Sequence, residues 1–146
     1  MKKQIIIIAL FLLGFTLFND VKAQSFSTSQ VENAIKKDGK YAILVQNSMH
    51  FMVSVMTSEE YKTKNPGIQF EIVLIGEVVK DLAEKEDLKP FIQKAEKAGT
   101  KIVVCEFAMN KLGVKKSQYQ PSILTTPNGF TYLFGLQELG FKTITL

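Results

Sequence analysis

The sequence contains no arginine and no tryptophan, and it has a single histidine and a single cysteine. Without arginine the chain lacks the planar, fork-shaped donor that proteins favour for bidentate contacts to phosphates and base edges. Its formal net charge of +4 comes from lysine alone and is too small to indicate a nucleic-acid surface. We therefore expect no nucleic-acid partner.

Metal and nucleotide sites also have little support in the sequence. Metal sites use three or four ligands at recognisable spacings, whereas the one histidine, His50, and the one cysteine, Cys105, lie far apart in the chain. The glycines form neither a GxGxxG nor a Walker loop, and no serine occupies a GxSxG turn. We expect no metal and no cofactor.

The first 23 residues have the organisation of a secretory signal. Lys2 and Lys3 precede an apolar run of 14 residues, Ile5 to Phe18, and Ala23 supplies a small residue for cleavage. The run is shorter than the roughly 20 residues that a membrane-spanning helix needs. We expect cleavage after Ala23, with a retained anchor as the alternative. The mature chain would then be periplasmic or secreted, without a stable membrane span.

The remaining chain predicts a lead-in segment at 24–40 and one α/β domain at 41–146. Continuous apolar runs such as YAILV at 41–45 and IVVC at 102–105 are typical of strands buried on both faces. Five predicted strands alternate with helical segments. This alternation predicts a three-layer α/β/α fold, flavodoxin-like, with a mostly parallel five-stranded sheet. The predicted strands are 41–45, 70–75, 101–105, 122–125 and 141–146, and the predicted helices are 49–61, 77–85, 89–98, 106–112 and 127–139.

Cys105 is the chemically most suggestive residue, and it cannot form a disulfide within the chain. It is therefore buried and inert, paired with another molecule, or reactive. Cys105 ends a predicted strand at the entry to a helix, where ligands gather in parallel sheets and where the helix dipole favours a thiolate. The carboxylate of Glu106 next to it, like apolar burial, would oppose a second negative charge.

Three further side chains follow predicted strands and are candidate neighbours of Cys105. Asn47 and His50 come after the first strand, and Glu77 comes after the second. His50 would reach Cys105 if the first and third strands were adjacent, as in the flavodoxin strand order. Otherwise it is a surface residue without a special role. Glu77 is an acid or base candidate, but a carboxylate in the first turn of a helix is also explained by the helix dipole.

From residue 41 onward the chain resembles the DsrE-like (DsrE/DsrF-like) sulfur-relay family. The segments that carry the resemblance are IVVCEFAMNKLGV, ILTTPNGF and LFGLQELGFKTITL, together with the upstream IVLIGEVVKDL. The resemblance implies a DsrE-like α/β subunit that assembles into trimers or hexamers. It also implies that Cys105 matches the cysteine that accepts sulfur as a persulfide in the relay members.

Three hypotheses for function remain. In the first, the chain is an exported DsrE-like homo-oligomer in which Cys105 carries sulfur, or responds to redox state, together with a sulfur donor or acceptor protein. In the second, it is a non-catalytic oligomeric binding or assembly module with Cys105 in the core. In the third, Cys105 and His50 serve a hydrolase or transferase, a chemistry that needs a histidine base oriented by a third group such as Asn47.

Overall fold

The computed structural model describes residues 25–146. The predicted signal sequence and its cleavage site therefore lie outside the described residues. The chain divides into two compact units, and the boundary follows Ala34. In the first, helix α1 (Thr28–Asn33) begins with a capping box: the Gln30 N–H donates to Ser27 Oγ over 3.3 Å, and the Ser27 N–H donates to Gln30 Oε1 over 2.8 Å. None of the residues of α1 is buried.

The second unit, from Ile35 to Leu146, alternates strands and helices as predicted. Short 3₁₀ helices at Glu86–Leu88 and Lys116–Gln118 were not predicted. The other elements are β1 (Lys40–Val45), α2 (Ser48–Lys64), β2 (Gln69–Leu74), α3 (Val78–Glu84), α4 (Lys89–Lys97), β3 (Lys101–Cys105), α5 (Glu106–Leu112), β4 (Leu124–Thr126), α6 (Gly129–Glu138) and β5 (Lys142–Thr145).

The five strands form one sheet in the order β4-β3-β2-β1-β5, and every neighbouring pair is parallel. The three-layer α/β fold with a parallel five-stranded sheet is thus confirmed. The strand order differs from the flavodoxin order, because β2 lies between β1 and β3. Ile72 of β2 pairs with Ile43 on one side and with Ile102 on the other. The central strand is buried on both faces from Phe70 to Leu74.

Helices cover the two faces of the sheet unequally. Helices α2 to α5 pack on one face, where Phe51 and Val55 of α2 join a core cluster with Ile72 and Leu74. Helix α6 packs on the other face, where Leu133 joins a second cluster. Right-handed crossovers require this division, because the chain moves from β1 to β4 in one direction and returns to β5 in the other.

The division creates a switch point at the carboxyl edge of the sheet. The chain leaves β3 toward the face with α5 and leaves the adjacent β4 toward the face with α6. Neighbouring strands whose connections diverge in this way open a crevice, and ligands of parallel α/β proteins bind there. In this chain the switch point lies between Cys105 at the end of β3 and the segment 127–129 after β4.

Candidate functional site

The site is built around the sulfur of Cys105, which the structure places on the α6 face of the sheet. Cys105 is the last residue of β3 and pairs with Thr126, the last residue of β4. Its Sγ accepts a hydrogen bond from the backbone N–H of Gly129, the first residue of α6, over 3.3 Å. The residue is 4% exposed and packs in a cluster with Val73, Ile75 and Leu133. The thiol is therefore buried and directed at the amino end of a helix.

Gly129 allows this approach because it has no side chain. A Cβ atom built at this position would lie 2.7 Å from Cγ2 of Ile75 and 3.3 Å from Cβ of Cys105. The first distance is shorter than any van der Waals contact permits, so a larger residue would push the start of α6 away from the sheet. Glycine at this position therefore brings a backbone donor within reach of the sulfur.

Asn128 determines which N–H group of α6 faces the sulfur. Its side-chain Oδ1 accepts hydrogen bonds from the N–H groups of Phe130 at 2.9 Å and Thr131 at 3.3 Å, as an N-cap residue does. The Gly129 N–H makes no hydrogen bond to the Asn128 side chain and donates to Cys105 Sγ instead. The positive end of the α6 dipole is thus directed at the sulfur.

The carboxylate of Glu106 is engaged by a side chain of the neighbouring strand β4. Glu106 is the first residue of α5, and its Oε1 accepts a hydrogen bond from the Thr125 hydroxyl over 2.6 Å. The Phe107 N–H donates to the Pro127 carbonyl over 3.3 Å. These two contacts tie the start of α5 to β4 and to the segment 127–129.

Asn47 and His50 form a local pair at the start of α2. Asn47 is the N-cap residue, and its Oδ1 accepts the His50 backbone N–H over 2.9 Å. Its amide Nδ2 lies 2.9 Å from His50 Nδ1. An amide nitrogen can only donate, so Nδ1 accepts and a neutral ring carries its proton on Nε2. The contacts of this pair are those of a helix cap.

A pairing of His50 with Cys105 required β1 and β3 to be neighbours in the sheet, and they are not. Strand β2 separates β1, which leads to His50, from β3, which ends at Cys105. The helix that carries His50 also packs on the face opposite α6. Glu77, the third predicted neighbour, is exposed at the start of α3, and its side chain makes no cap hydrogen bond.

A polar contact that sequence reasoning missed links α2 to α3 at the same edge. The Ser48 hydroxyl donates to Oδ2 of Asp81, and Lys85 Nζ lies 2.9 Å from the same oxygen. Burial raises the pKa of Asp81, but the hydrogen bonds from Ser48 and Lys85 outweigh it and leave the pKa below its usual value. The sequence indicates the ion pair between Asp81 and Lys85, because they are four residues apart in a predicted helix, but it does not indicate the hydrogen bond from Ser48.

Gly129 and Asn128 were not predicted as neighbours of Cys105. The sequence feature that could have indicated them is the Asn-Gly pair directly before an apolar helical segment, because asparagine is a favoured N-cap residue. Within residues 25–146, no group of three or more His, Cys, Asp or Glu side chains could hold a metal ion. None of the helices in this range is long and apolar enough to span a bilayer.

Comparison with known proteins identifies relatives by sequence pattern and by fold. A model of the DsrE/DsrF-like family matches residues 24–146. No curated protein matches the chain.

Solved structures with this fold include MTH1491 from Methanobacterium thermoautotrophicum, a protein of unknown function. It has a TM-score of 0.67 at 11% identity, covering 75% of this chain and all of that one. BT1422 from Bacteroides thetaiotaomicron, also of unknown function, has a TM-score of 0.64 at 21% identity, covering 78% of this chain and all of that one. The ychN protein from E. coli has a TM-score of 0.56 at 10% identity, covering 73% of this chain and 99% of that one. At these identities the likeness shows the fold alone.

Proposed function

The chain belongs to the DsrE/DsrF-like family, and from that premise we propose that it carries sulfur as a persulfide on Cys105. The observation that carries the proposal is the hydrogen bond from the Gly129 N–H to Cys105 Sγ at the switch point of the sheet. A backbone donor at a helix amino end stabilises negative charge on sulfur, and the thiolate is the form that attacks other sulfur atoms. Glu106, the carboxylate nearest in sequence, is engaged by Thr125.

The proposed reaction is an exchange between sulfur atoms with no net oxidation. The Cys105 thiolate attacks the outer sulfur of a donor persulfide, a new S–S bond forms on Cys105, and the S–S bond of the donor breaks. The electron pair leaves with the inner sulfur of the donor, which takes up a proton and becomes a thiol. In the second half, a thiolate of the acceptor protein attacks the outer sulfur on Cys105 and regenerates the Cys105 thiolate.

This chemistry requires the cover of the sulfur to open, because Cys105 is 4% exposed. The loop 127–129 and the first turn of α6 form the cover, and the contact between Phe107 and Pro127 is one of the bonds that hold it. Loops that make few buried contacts open at modest free-energy cost compared with global unfolding. A donor protein that displaces this loop would reach the sulfur from the carboxyl edge of the sheet.

Mass spectrometry after incubation with a small persulfide donor tests the proposal. We expect the purified protein to gain the mass of one sulfur atom, dithiothreitol to remove it, and Cys105→Ser to abolish the gain. His50→Ala is the matched control, since His50 lies on the other face of the sheet, and it should gain sulfur at the wild-type rate. Lack of any adduct on wild-type protein, together with lack of labelling of the folded protein by iodoacetamide, would overturn the carrier proposal.

A second candidate function is a non-catalytic binding or assembly module in which Cys105 only packs in the core. The burial of the thiol favours it, and so does an apolar stripe on the outer face of α2. Met49, Val53 and Met56 of this stripe are 67%, 50% and 55% exposed, which is unusual for the solvent side of a helix. A thiol that stays unlabelled in an otherwise self-associating protein would support this function over sulfur transfer.

Export and self-association complete the proposal. Residues 1–23 have the organisation of a secretory signal, so we propose that the protein works in the periplasm or outside the cell. The α2 stripe supports a homo-oligomer, the state that the family resemblance implies as a trimer or hexamer. The sulfur donor and acceptor would then be exported proteins as well.

A further inference from the structure

A cleft lined by both polar and apolar side chains lies on the α6 face of the sheet, and Thr126 at the end of β4, the pairing partner of Cys105, is one of its lining residues. It has a volume of about 520 Å³ and lies between α6 and the first residues of β1, β2 and β3. The residues that line it and matter for its chemistry are Lys40, Gln69, Glu71, Lys101, Tyr132 and Gly135.

The floor of the cleft is a buried carboxylate whose two oxygens are already engaged. Glu71 of β2 is 4% exposed. Its Oε1 lies 3.2 Å from Lys101 Nζ, and its Oε2 accepts a hydrogen bond from the Tyr132 hydroxyl over 2.8 Å. Burial, and then the hydrogen bond and charge of Glu71, raise the pKa of Tyr132 to about 12, so this hydroxyl stays a donor at neutral pH. The carboxylate therefore has little capacity left for a cationic ligand.

The two lysines of the cleft leave one positive charge uncompensated. Lys101 is the partner of Glu71, and its side chain is 61% exposed, so its other N–H groups face the cleft or solvent. Lys40 Nζ donates to the Leu139 carbonyl over 3.2 Å and lies 5.8 Å from the centre of the Phe141 ring. Among residues 25–146, no carboxylate forms an ion pair with Lys40. The cleft thus favours an anion.

Gly135 keeps the helix wall of the cleft open. It lies inside α6, where glycine costs about 1 kcal/mol of helix stability relative to alanine. A Cβ atom at this position would meet no atom within 4 Å, and its φ is not positive. Neither packing nor backbone conformation therefore requires glycine. What it does provide is space beside the apolar side chains of Leu136 and Leu139, which also line the cleft.

We propose that this cleft binds a small organic carboxylate, whose charged group lies between Lys40 and Lys101 and whose short hydrocarbon part packs beside Gly135. The lysines stand on β1 and β3, the two strands that flank β2, and these strands are about 9 to 10 Å apart. Lys40 pairs with Gln69 and Lys101 pairs with Glu71, so Lys101 lies two residues, about 7 Å, further along the strand direction. Their long side chains can converge on one carboxylate above Gln69 and Glu71. Binding at this site does not require sulfur chemistry at Cys105.

Titration of the isotope-labelled protein with hexanoate, followed by NMR, tests the proposal. We expect the amide signals of Lys40, Lys101 and Gly135 to shift with millimolar affinity. Hexan-1-ol should bind about tenfold more weakly, because it lacks the charge-assisted hydrogen bonds. Hexylammonium should not compete, and inorganic phosphate should be much weaker than hexanoate because it lacks a hydrocarbon part. Equal binding of hexan-1-ol or phosphate, or preferred binding of hexylammonium, would overturn the proposed ligand class.

Variants separate binding from folding. Lys40→Met should weaken hexanoate about tenfold, while Lys97→Met on the distant helix α4 should leave the affinity unchanged. Gly135→Leu should abolish binding while the thermal unfolding midpoint stays the same or rises, since leucine is a better helix former. The proposal is wrong if Gly135→Leu binds hexanoate as the wild type does. Lys101→Met is less informative, because it leaves Glu71 without its ionic partner.

Discussion

At the scale of single residues, the contact between Gly129 and Cys105 decides whether the thiol is covered. The sulfur is buried because a residue without a Cβ atom starts the helix above it. The same absence of a side chain has a different effect at Gly135, where nothing lies within 4 Å of the missing Cβ. Two glycines on one helix thus have separable roles, and substitution distinguishes them.

Gly129→Ala should expose the thiol. The added Cβ cannot fit 2.7 Å from Ile75 Cγ2, so the first turn of α6 must move and the hydrogen bond to Cys105 must lengthen. Overpacking of this kind costs about 1 to 3 kcal/mol of unfolding free energy. We expect iodoacetamide to label Cys105 faster in this variant, in proportion to the fraction of time that the loop is open.

Gly135→Ala is the matched control for that experiment. It makes the same substitution on the same helix, but in open space, and should raise the unfolding free energy by up to about 1 kcal/mol without changing the labelling rate. If Gly129→Ala were as stable and as slowly labelled as the wild type, the loop 127–129 would not be the cover of the thiol.

At the scale of elements, most boundaries could be predicted from the local pattern. The strand ending at Cys105 and the helix that follows agree with prediction, because a continuous apolar run changes there to helical spacing and ends at Gly113. The fourth strand begins two residues later than predicted, since Ile123 is still held in a turn by its N–H bond to the Gln120 carbonyl. The last helix begins at Gly129 because Asn128 caps it.

The candidate site was less predictable than the elements. That Cys105 follows a strand could be read from the pattern, but the order of strands depends on long-range packing that no local segment contains. For this reason His50 was expected near Cys105 only under an assumed adjacency of β1 and β3, which β2 interrupts. The donor from Gly129 belongs to a segment 24 residues further along the chain and depends on the same crossover.

The contact between Ser48 and Asp81 joins two elements and should be pH-dependent. The pKa of Asp81 is lowered in the folded protein, so the stabilisation it contributes is present above the ordinary value of 3.8 and is lost as the pH falls through the lower folded value. Ser48→Ala should reduce the unfolding free energy at pH 7 by about 1 kcal/mol, allowing for partial exposure of Asp81.

Urea unfolding at two pH values checks this prediction. The difference between wild type and Ser48→Ala should shrink as the pH falls below 3.8 and through the lowered pKa of Asp81, where the carboxylate becomes protonated. Ser117→Ala is the control, since Ser117 is exposed and should show no difference at either pH. A gap between wild type and Ser48→Ala that stays constant from neutral to acidic pH would show that the carboxylate charge of Asp81 does not contribute to the contact.

At the scale of the whole molecule, surface apolarity is concentrated on particular helix faces. The stripe of Met49, Val53 and Met56 lies on the side of α2 opposite Phe51 and Val55, which belong to the core. Spacings of three and four residues align such side chains along one face of a helix. A helix that is apolar on both its core face and its outer face gains stability when a second copy of the chain covers the outer face.

Val53→Lys should therefore weaken self-association. Burying a valine contributes about 1.5 to 3 kcal/mol, so a lysine in its place should raise the dissociation constant by at least tenfold for each interface. Light scattering coupled to gel filtration should show an oligomer for the wild type and a smaller mass for the variant at the same concentration. Val31→Lys makes the same exchange at an exposed valine of α1, outside the stripe, and should leave the mass unchanged. Because Val53 is half-exposed, thermal unfolding of the isolated subunit should be little affected. A wild-type protein that is monomeric at high concentration, or a Val53→Lys protein of unchanged mass, would remove α2 as the interface between copies.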